Sequence, residues 1–441
     1  MIYRARWVIP RVGEELENGE VLVRDGAITE VGANLAGALP DEELRDLGQC
    51  VLLPGFVNAH SHIEYTHSRG VADALNLWEW IDAVGFGLRR KPDHDTVALS
   101  AALGAAECAL SGITCLADST FTGAAAEAMR SVGLRGIAYR EIFGQRTGAD
   151  YEARFAEVLD EARCAQARCS PLIRVGISPH SIYTSNRELI GLCAEACSEL
   201  GIPIALHLAE TSAETGYAMY GTGPISDWRR RLGFDPMVSG LTPVRYARKI
   251  GLLKEGVCLA HCVHLSEDEV ELVAESGAGV AHCPRSNGYL GAGAAPAPSM
   301  FRAGVRVGLG TDSAGSCLNI DMFEEMRFAL GIHRAVAKDA SVITAKDVLR
   351  AATIGGAEAL GLAESIGTLD PGKRADIVAV DLSDRLPGED LYLSIVRRSP
   401  ANVTLVVVDG AEIAREGRLL TVDVNECREN LRAALEKEAN G

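Results

Sequence analysis

Aromatic residues and positive charge are both scarce in this chain of 441 residues. Phe, Trp and Tyr make up only 5% of the sequence, so we expect a core filled mainly by Ala, Val, Leu and Ile. Lys and Arg number 43 against 60 Asp and Glu, which gives a net charge of −17. This excess of acid argues against partners such as nucleic acid or an anionic membrane surface.

Targeting and membrane-spanning segments are also missing from the sequence. No apolar segment followed by a small-residue cleavage site follows Met1, so we expect no secretory signal. The longest uncharged stretch, residues 286–301, is rich in Gly, Ala and Pro and is typical of a loop, and no apolar run is long enough to span a bilayer. The 12 cysteines include no CxxC pair, which excludes a zinc ribbon. We therefore predict a reduced, cytoplasmic protein.

Strand-like segments occur at both ends of the chain. They are residues 2–9, 20–24, 27–31, 375–381 and 403–408. The pairs Asp25-Gly26 and Asp409-Gly410 are hairpin signals, and only the last segment, residues 424–439, has a helical pattern. We predict one small composite β-sandwich domain, built from residues 1–53 and 366–441.

The central segment, residues 54–365, alternates between short apolar runs and helical patterns. The apolar runs are residues 51–57, 112–117, 134–139, 172–177, 203–208, 257–260, 279–281 and 305–309. About eight strand–helix units in this length predict an α/β protein with a (β/α)₈ TIM barrel. A doubly wound open sheet is the alternative, although no GxGxxG motif opens any unit, which argues against a dinucleotide site.

Side chains that can bind a metal ion lie at the ends of four predicted strands. They are His60 with His62, then His207, His261 and Asp312. Reactive residues of a barrel lie at the carboxyl ends of its strands, and residues two apart on a strand face the same side. One such histidine is usually structural, but four strand ends of this kind indicate a metal site. Three histidines and an aspartate suit Zn²⁺, with Fe²⁺ or Mn²⁺ as alternatives.

Six other histidines do not belong to this set, among them His180, a candidate substrate-binding residue. We predict structural or surface positions for His67, His94, His264 and His333, and His282 remains a candidate pocket residue because it also ends a predicted strand.

Several motifs resemble those of the amidohydrolase superfamily. They are PGFVNAHSH (54–62), HLAET (207–211), AHCVH (260–264), CPRSN (283–287), GLGTDS (308–313) and GTLDPGKRAD (367–376). The motifs are most similar to those of the one-metal aminohydrolases, which include deaminases of S-adenosylhomocysteine, methylthioadenosine and aminodeoxyfutalosine and the triazine chlorohydrolases. The resemblance implies a zinc-dependent hydrolase that acts on C–N bonds of cyclic amidines.

The resemblance also assigns roles to individual residues. It implies that the metal ligands are His60, His62, His207 and Asp312, and that the catalytic residues are Glu210, His261 and Asp312. Glu210 would shuttle protons, and His261 would contact the attacking water or the substrate. Two-metal relatives carry a carboxylated lysine on the fourth strand, and residues 172–177 contain no Lys, so we expect one divalent ion per chain.

The chemistry expected from these residues is hydrolytic deamination. A divalent ion lowers the pKa of its water, and the resulting hydroxide attacks the ring carbon that bears an exocyclic amine. Glu210 protonates the neighbouring ring nitrogen and then the leaving ammonia. The same arrangement could expel chloride or open an amide, so the leaving group stays open at this point.

The substrate is predicted from the resemblance. The segment LWEWI (77–81) lacks the proline of the matching stretch in adenosylhomocysteine deaminases and looks more like the aminodeoxyfutalosine deaminase-like group. We expect a 6-aminopurine nucleoside, aminodeoxyfutalosine-like first and methylthioadenosine or S-adenosylhomocysteine second. Alternatives are a free base, a pterin or a triazine. A non-catalytic barrel scaffold is a further alternative, although it would need none of the residues named above.

Four residues are expected to bind the substrate: His180, Trp78, Arg140 and Ser313. Trp78 and Trp80 either stack on a base or pack under a lid formed by residues 70–90. Arg140 and Arg285 either meet a carboxylate or form structural ion pairs. We expect a small-molecule substrate and a homo-oligomer, a dimer, as the assembly.

Overall fold

The computed structural model describes residues 1–85, 92–144, 151–168 and 170–440. Its strands are β1 (Ile2–Arg11), β2 (Glu14–Arg24), β3 (Ala27–Gly32), β4 (Leu44–Asp46), β5 (Cys50–Pro54), β6 (Phe56–Ser61), β7 (Ile113–Thr120), β8 (Arg135–Ile142), β9 (Ile173–Pro179), β10 (Ile204–Leu208), β11 (Val257–His261), β12 (Gly279–His282), β13 (Arg306–Leu309), β14 (Ile377–Asp381), β15 (Val403–Val408), β16 (Ala411–Arg415) and β17 (Arg418–Leu419).

The helices are α1 (Leu35–Ala38), α2 (Leu77–Trp80), α3 (His94–Leu110), α4 (Ala124–Val132), α5 (Tyr151–Arg168), α6 (Arg187–Leu200), α7 (Ser212–Tyr220), α8 (Pro224–Arg231), α9 (Pro243–Lys249), α10 (Glu267–Ser276), α11 (Pro284–Tyr289), α12 (Ala297–Arg302), α13 (Ala314–Cys317), α14 (Met322–Ala337), α15 (Ala345–Ala351), α16 (Ile354–Ala359), α17 (Leu391–Val396) and α18 (Val424–Asn440). Two 3₁₀ turns (Ile63–Ser68, Pro400–Asn402) and a π-helical turn (Ile81–Gly85) are also present.

The strands β6 to β13 form a sheet in which neighbours follow chain order and run parallel. Its first and last strands are joined side by side. The Thr311 N–H donates to Asn58 Oδ1 at 3.0 Å, and Asn58 Nδ2 donates to Thr311 Oγ1 at 2.8 Å. One residue further, the Asp312 N–H donates to the carbonyl oxygen of His60 at 3.0 Å. This closure confirms the (β/α)₈ barrel and excludes the open-sheet alternative.

The strands of both chain ends form a separate mixed sheet, as predicted. Its order is β17-β16-β15-β14-β5-β1-β2-β3, and β4 pairs with β1. Both Asp-Gly pairs turn the chain with positive φ angles, 50° and 72° at Asp25 and Gly26 and 55° and 82° at Asp409 and Gly410. Such angles belong to the tight hairpin turns that match strand twist. Apolar side chains from β1 to β3 and from β14 and β15 pack in one cluster, so the two ends share a core.

The apolar run at residues 51–57, predicted as one strand, is divided at Gly55. β5 before it belongs to the composite sheet, and β6 after it is the first barrel strand. A Cβ atom on Gly55 would lie 2.1 Å from Thr114 Oγ1, so only glycine fits where the chain passes from one sheet to the other.

The segment 286–301, predicted as a loop, overlaps two short helices, α11 and α12. Each has proline in its first turn, Pro284 in α11 and Pro298 in α12. Proline is tolerated there because the first N–H groups of a helix have no partner within the helix. The prolines of this segment therefore mark the starts of two helices, which its Gly, Ala and Pro composition did not indicate.

The C-terminal helix α18 was predicted over residues 424–439 and lies against α3 of the barrel. Leu431 is its buried residue, and the Asp93 N–H at the start of α3 donates to Glu438 Oε1 at 2.9 Å. The limits of the two predicted domains, which assign this helix to the β domain, stay predictions. Within the described ranges, no helix combines the length and apolarity needed to cross a membrane.

A buried ionic cluster joins the barrel to the composite sheet. Arg135, at the start of β8, donates through Nε to Asp376 Oδ2 and through Nη2 to Asp409 Oδ1, each at 2.7 Å. The Asp376 side chain is only 2% exposed and that of Arg135 only 12%. Removing the cation would leave the Asp376 carboxylate buried without its counter-charge.

We therefore expect Arg135→Leu to lower the free energy of unfolding by about 3–5 kcal/mol. Urea denaturation of the metal-loaded protein, followed by circular dichroism, measures this loss. Arg163→Leu is the control, because its pair with Asp160 is 59% and 76% exposed, and it should cost less than about 1 kcal/mol. Equal losses in the two variants would show that the buried cluster contributes no more to the free energy of unfolding than an exposed ion pair does.

Candidate metal and active site

Three histidines converge at the carboxyl ends of β6 and β10. His60, His62 and His207 are buried, and their potential ligand atoms all lie within 4.8 Å of one another. Nε2 of His62 is 3.1 Å from Nε2 of His207. The alternation of side chains along β6 brings His60 and His62 to the same side, as predicted.

In two of these rings, the hydrogen bond made by Nδ1 determines whether Nε2 carries a hydrogen or a lone pair. Nδ1 of His62 lies 2.9 Å from the Ser119 carbonyl oxygen, and Nδ1 of His207 lies 2.8 Å from that of His180. A carbonyl only accepts, so each Nδ1 carries the hydrogen. Burial lowers the pKa of His207 well below its ordinary value, which keeps the ring neutral. Its Nε2 therefore presents a lone pair.

The lone pair of His207 Nε2 faces Nε2 of His62 at 3.1 Å, a separation at which one cation can bind both nitrogens. His60 Nε2 is buried and has no hydrogen-bond partner among the described residues. Histidines whose second ring nitrogen donates its N–H to a backbone carbonyl are common zinc ligands. The three rings therefore fit a divalent metal ion.

Asp312 supplies the carboxylate of the set. Its Oδ1 is 3.7 Å from His62 Nε2 and 3.9 Å from His60 Nε2. Ser286 Oγ donates to Oδ2 at 2.5 Å, and the Ser313 N–H donates to Oδ1 at 2.7 Å. Its backbone is left-handed, with φ at 60°, a strained conformation for aspartate. The hydrogen bond to the His60 carbonyl holds this conformation and the carboxylate with it.

Glu210 and His261 lie beside these ligands. Glu210 Oε1 is 3.8 Å from His261 Nε2, and both side chains are buried. Burial raises the pKa of Glu210 well above its ordinary value, and the charge of Asp312 adds to the effect. The Glu214 carboxylate accepts the Glu210 N–H at 3.0 Å and so fixes the backbone of this residue.

The orientation of His261 depends on a residue that sequence reasoning did not single out. Nδ1 of His261 is 2.9 Å from Oδ1 of Asn287. An amide oxygen accepts, so Nδ1 carries the hydrogen and Nε2 is left as an acceptor beside Glu210. Asn287 lies in the CPRSN segment, which was recognised only as a motif. Its polar side chain after a strand end was the available signal.

A cavity of about 640 Å³ opens above these residues. The floor is formed by strand-end side chains, among them His62, His207, Glu210, His261 and Asp312. Most of the wall is aromatic or aliphatic. It includes Tyr65, Leu77, Trp78, Trp80, Ile81, Phe121, Phe143, Tyr183, Trp228, Leu232, Phe234 and Leu290. Residues 77–81 belong to the predicted lid segment 70–90, of which residues 86–90 lie outside the described part.

Three of the four predicted substrate-binding residues line this cavity: His180, Trp78 and Ser313. Trp78 also packs edge-to-face on Tyr183, with ring centroids 5.2 Å apart. Arg140 does not reach the cavity, because side chains alternate along β8 and its neighbour Glu141 faces inward instead. The Arg140 guanidinium lies outside the barrel, 3.3 Å from Glu161 of α5.

Two other residues that the sequence singled out, Arg285 and His282, do not reach the cavity. Arg285 is buried and forms structural ion pairs, 3.1 Å from Glu324 and 3.4 Å from Glu325. His282, a candidate pocket residue, forms a hydrogen bond with His333 of 2.8 Å between their Nε2 atoms. Neither residue lines the cavity.

This geometry predicts the stoichiometry of the metal. β9 carries no lysine (IRVGISP), so no bridging group for a second ion is present on that strand. We expect purified protein to bind about one divalent ion per chain, and His60→Ala or Asp312→Ala to lose it, because each removes a ligand. Elemental analysis measures the content. Two tightly held ions, or full activity after chelation, would contradict the one-metal site.

Comparisons with known proteins identify the family of the chain. Residues 51–413 match the sequence profile of the amidohydrolase family. A 5-methylthioadenosine/S-adenosylhomocysteine deaminase of Syntrophobacter fumaroxidans is 34% identical over 433 residues, covering 95% of this chain and 93% of its own. One of the same name from Symbiobacterium thermophilum is 36% identical over 421 residues, covering 91% of each chain.

Among solved structures, an adenosine deaminase from Xanthomonas campestris with bound zinc is 30% identical, with a TM-score of 0.85 over 100% of this chain and 98% of its own. An atrazine chlorohydrolase from Arthrobacter aurescens complexed with zinc covers 98% of this chain and 99% of its own with a TM-score of 0.84, but at 23% identity it shows a shared fold alone. The family profile spans most of the chain, and relatives above 30% identity cover nearly all of it. The chain therefore belongs to the amidohydrolase family.

Proposed function

We propose that this protein is a zinc-dependent aminohydrolase that deaminates a 6-aminopurine nucleoside. The observation that carries the proposal is the buried Glu210 carboxyl group, 3.8 Å from His261 and next to the His60–His62–His207–Asp312 set. A carboxyl group with a raised pKa at this place suits protonation of a ring nitrogen. The names of the relatives support methylthioadenosine or S-adenosylhomocysteine ahead of an aminodeoxyfutalosine-like substrate.

Zinc is supported by the donor set and by the zinc-bound relative. Three neutral imidazoles with one carboxylate are ligands that zinc accepts readily, whereas magnesium and calcium prefer oxygen donors. A zinc ion held there would lower the pKa of a water molecule toward neutrality and so supply the nucleophile.

The residues of this chain then divide the proton transfers. Asp312 and the acceptor Nε2 of His261 hold the attacking water and take its proton. Glu210, protonated, donates to the ring nitrogen next to the carbon under attack, so negative charge does not accumulate on the ring. After the C–O bond has formed, Glu210 takes the proton of the new hydroxyl group and passes it to the amine. The C–O bond becomes C=O, the C–N bond breaks and ammonia leaves, and the proton that Asp312 and His261 took from water restores the Glu210 carboxyl group.

We expect Glu210→Gln to retain the metal and to lose about 10²–10⁴-fold in kcat, because the amide keeps the shape of the side chain but cannot carry the proton. Ammonia release and metal content, measured on the same preparation, separate the two effects. Glu214→Gln is the control for a change of charge near the site, and it should lose less. Near-full turnover in Glu210→Gln would remove this residue from the mechanism.

The nucleoside assignment has a separate test. The cavity extends from the strand ends past Trp78 to Trp228 and Phe234, so it has room for more than a purine base. Binding energy from the remote part of a substrate helps to position its reacting carbon. We expect kcat/KM for methylthioadenosine or S-adenosylhomocysteine to exceed that for adenine, guanine or a chlorotriazine by about tenfold or more. A free base or triazine that reacts faster would overturn the nucleoside assignment and leave the metal site intact.

A further inference from the structure

Glu141 places a carboxylate on the cavity floor that no step of the proposed reaction uses. It lies near the end of β8, is only 4% exposed and lines the cavity. Its Oε1 atom is buried and has no hydrogen-bond partner in the described part of the chain. A buried carboxylate oxygen without a donor is unfavourable, so a donor is expected from whatever occupies the cavity.

A second metal ion does not explain this carboxylate. Glu141, His180 and His207 do form a group whose potential ligand atoms lie within 4.8 Å of one another. Both nitrogens of His207 are already engaged, however. Nδ1 donates to the His180 carbonyl at 2.8 Å, and Nε2 lies 3.1 Å from His62 in the first cluster. The group therefore lacks a third free ligand.

The neighbouring His180 is held in place by its own contacts. Nδ1 of His180 is 2.9 Å from Thr184 Oγ1, and its ring stacks on Phe143 with centroids 4.9 Å apart. Phe143 in turn contacts Phe121 edge-on, 5.8 Å between centroids. These rings hold His180 in place and form an apolar wall. The carboxylate is the acceptor that this part of the floor presents to a ligand.

Resting on the proposed function, we infer that Glu141 accepts hydrogen bonds from the sugar hydroxyl groups of the nucleoside. A vicinal diol offers two O–H donors to one carboxylate and brings no charge. A phosphate group at this place would be repelled by the carboxylate, and an ammonium group would be repelled by the nearby divalent ion. Glu141 is thus a specificity-determining residue that selects an intact, unphosphorylated ribose.

The test compares methylthioadenosine with its 2′,3′-dideoxy analogue in zinc-loaded protein. We expect the wild type to prefer the ribosyl compound by about tenfold or more, the size of an effect from a lost charge-assisted hydrogen bond. Glu141→Gln and Glu141→Ala should raise KM for the ribosyl compound by a similar factor with kcat changed by less than about threefold, because the sugar is bound equally in ground and transition states. In Glu141→Ala the preference for ribose should disappear.

Glu161→Gln is the matched control, since Glu161 faces Arg140 on the other side of β8 and should change neither the preference nor KM. Zinc content should stay near one ion per chain in every variant. If wild type and Glu141→Ala prefer the ribosyl compound equally, or if kcat falls while KM stays constant, the inference is wrong and the proposed function stands. If the wild type deaminates neither compound, both the proposed function and this inference fall.

Discussion

The hydrogen bonds between β6 and the residues just after β13 are the constraint on which the rest of the structure depends. Asn58 and Thr311 close the barrel through their side chains and backbone, and the Asp312 N–H then reaches the carbonyl of His60. This one seam turns an open parallel sheet into a barrel. It also brings the carboxylate at residue 312 to histidines about 250 positions earlier in the chain. Fold and metal site are therefore consequences of the same contact.

The barrel and the residues of the candidate metal site were predictable because they follow from local periodicity. Alternation of apolar runs and helical patterns predicts the parallel strands, and each strand end is a place where a reactive side chain emerges. His60, His62, His207, Glu210, His261 and Asp312 come together in the structure because each lies at or just after such an end. Their chemical roles remain a proposal that the mutants above address.

The residues of the cavity wall were harder to predict, because small shifts in strand register and long connections determine which side chains line it. Arg140 and Glu141 are adjacent, and a one-residue difference in the phase of β8 places one outside the barrel and the other on its floor. Trp228 and Phe234 come from α8 and the segment after it, far from any strand end, so no periodic pattern marks them. The Gly, Ala and Pro content of residues 286–301 is typical of a loop and predicts one, although proline begins helices here.

The passage of the chain through Gly55 bears on how the molecule unfolds. This single residue separates β5 of the composite sheet from β6 of the barrel, and apolar side chains of β5, β14 and β15 share one core with α3 and α4. Neither sheet can lose its packing without exposing the apolar surface of the other. The two sheets differ in architecture but share this core, so we expect them to unfold together, and damage to the composite sheet would reach the candidate metal site through loss of the folded state.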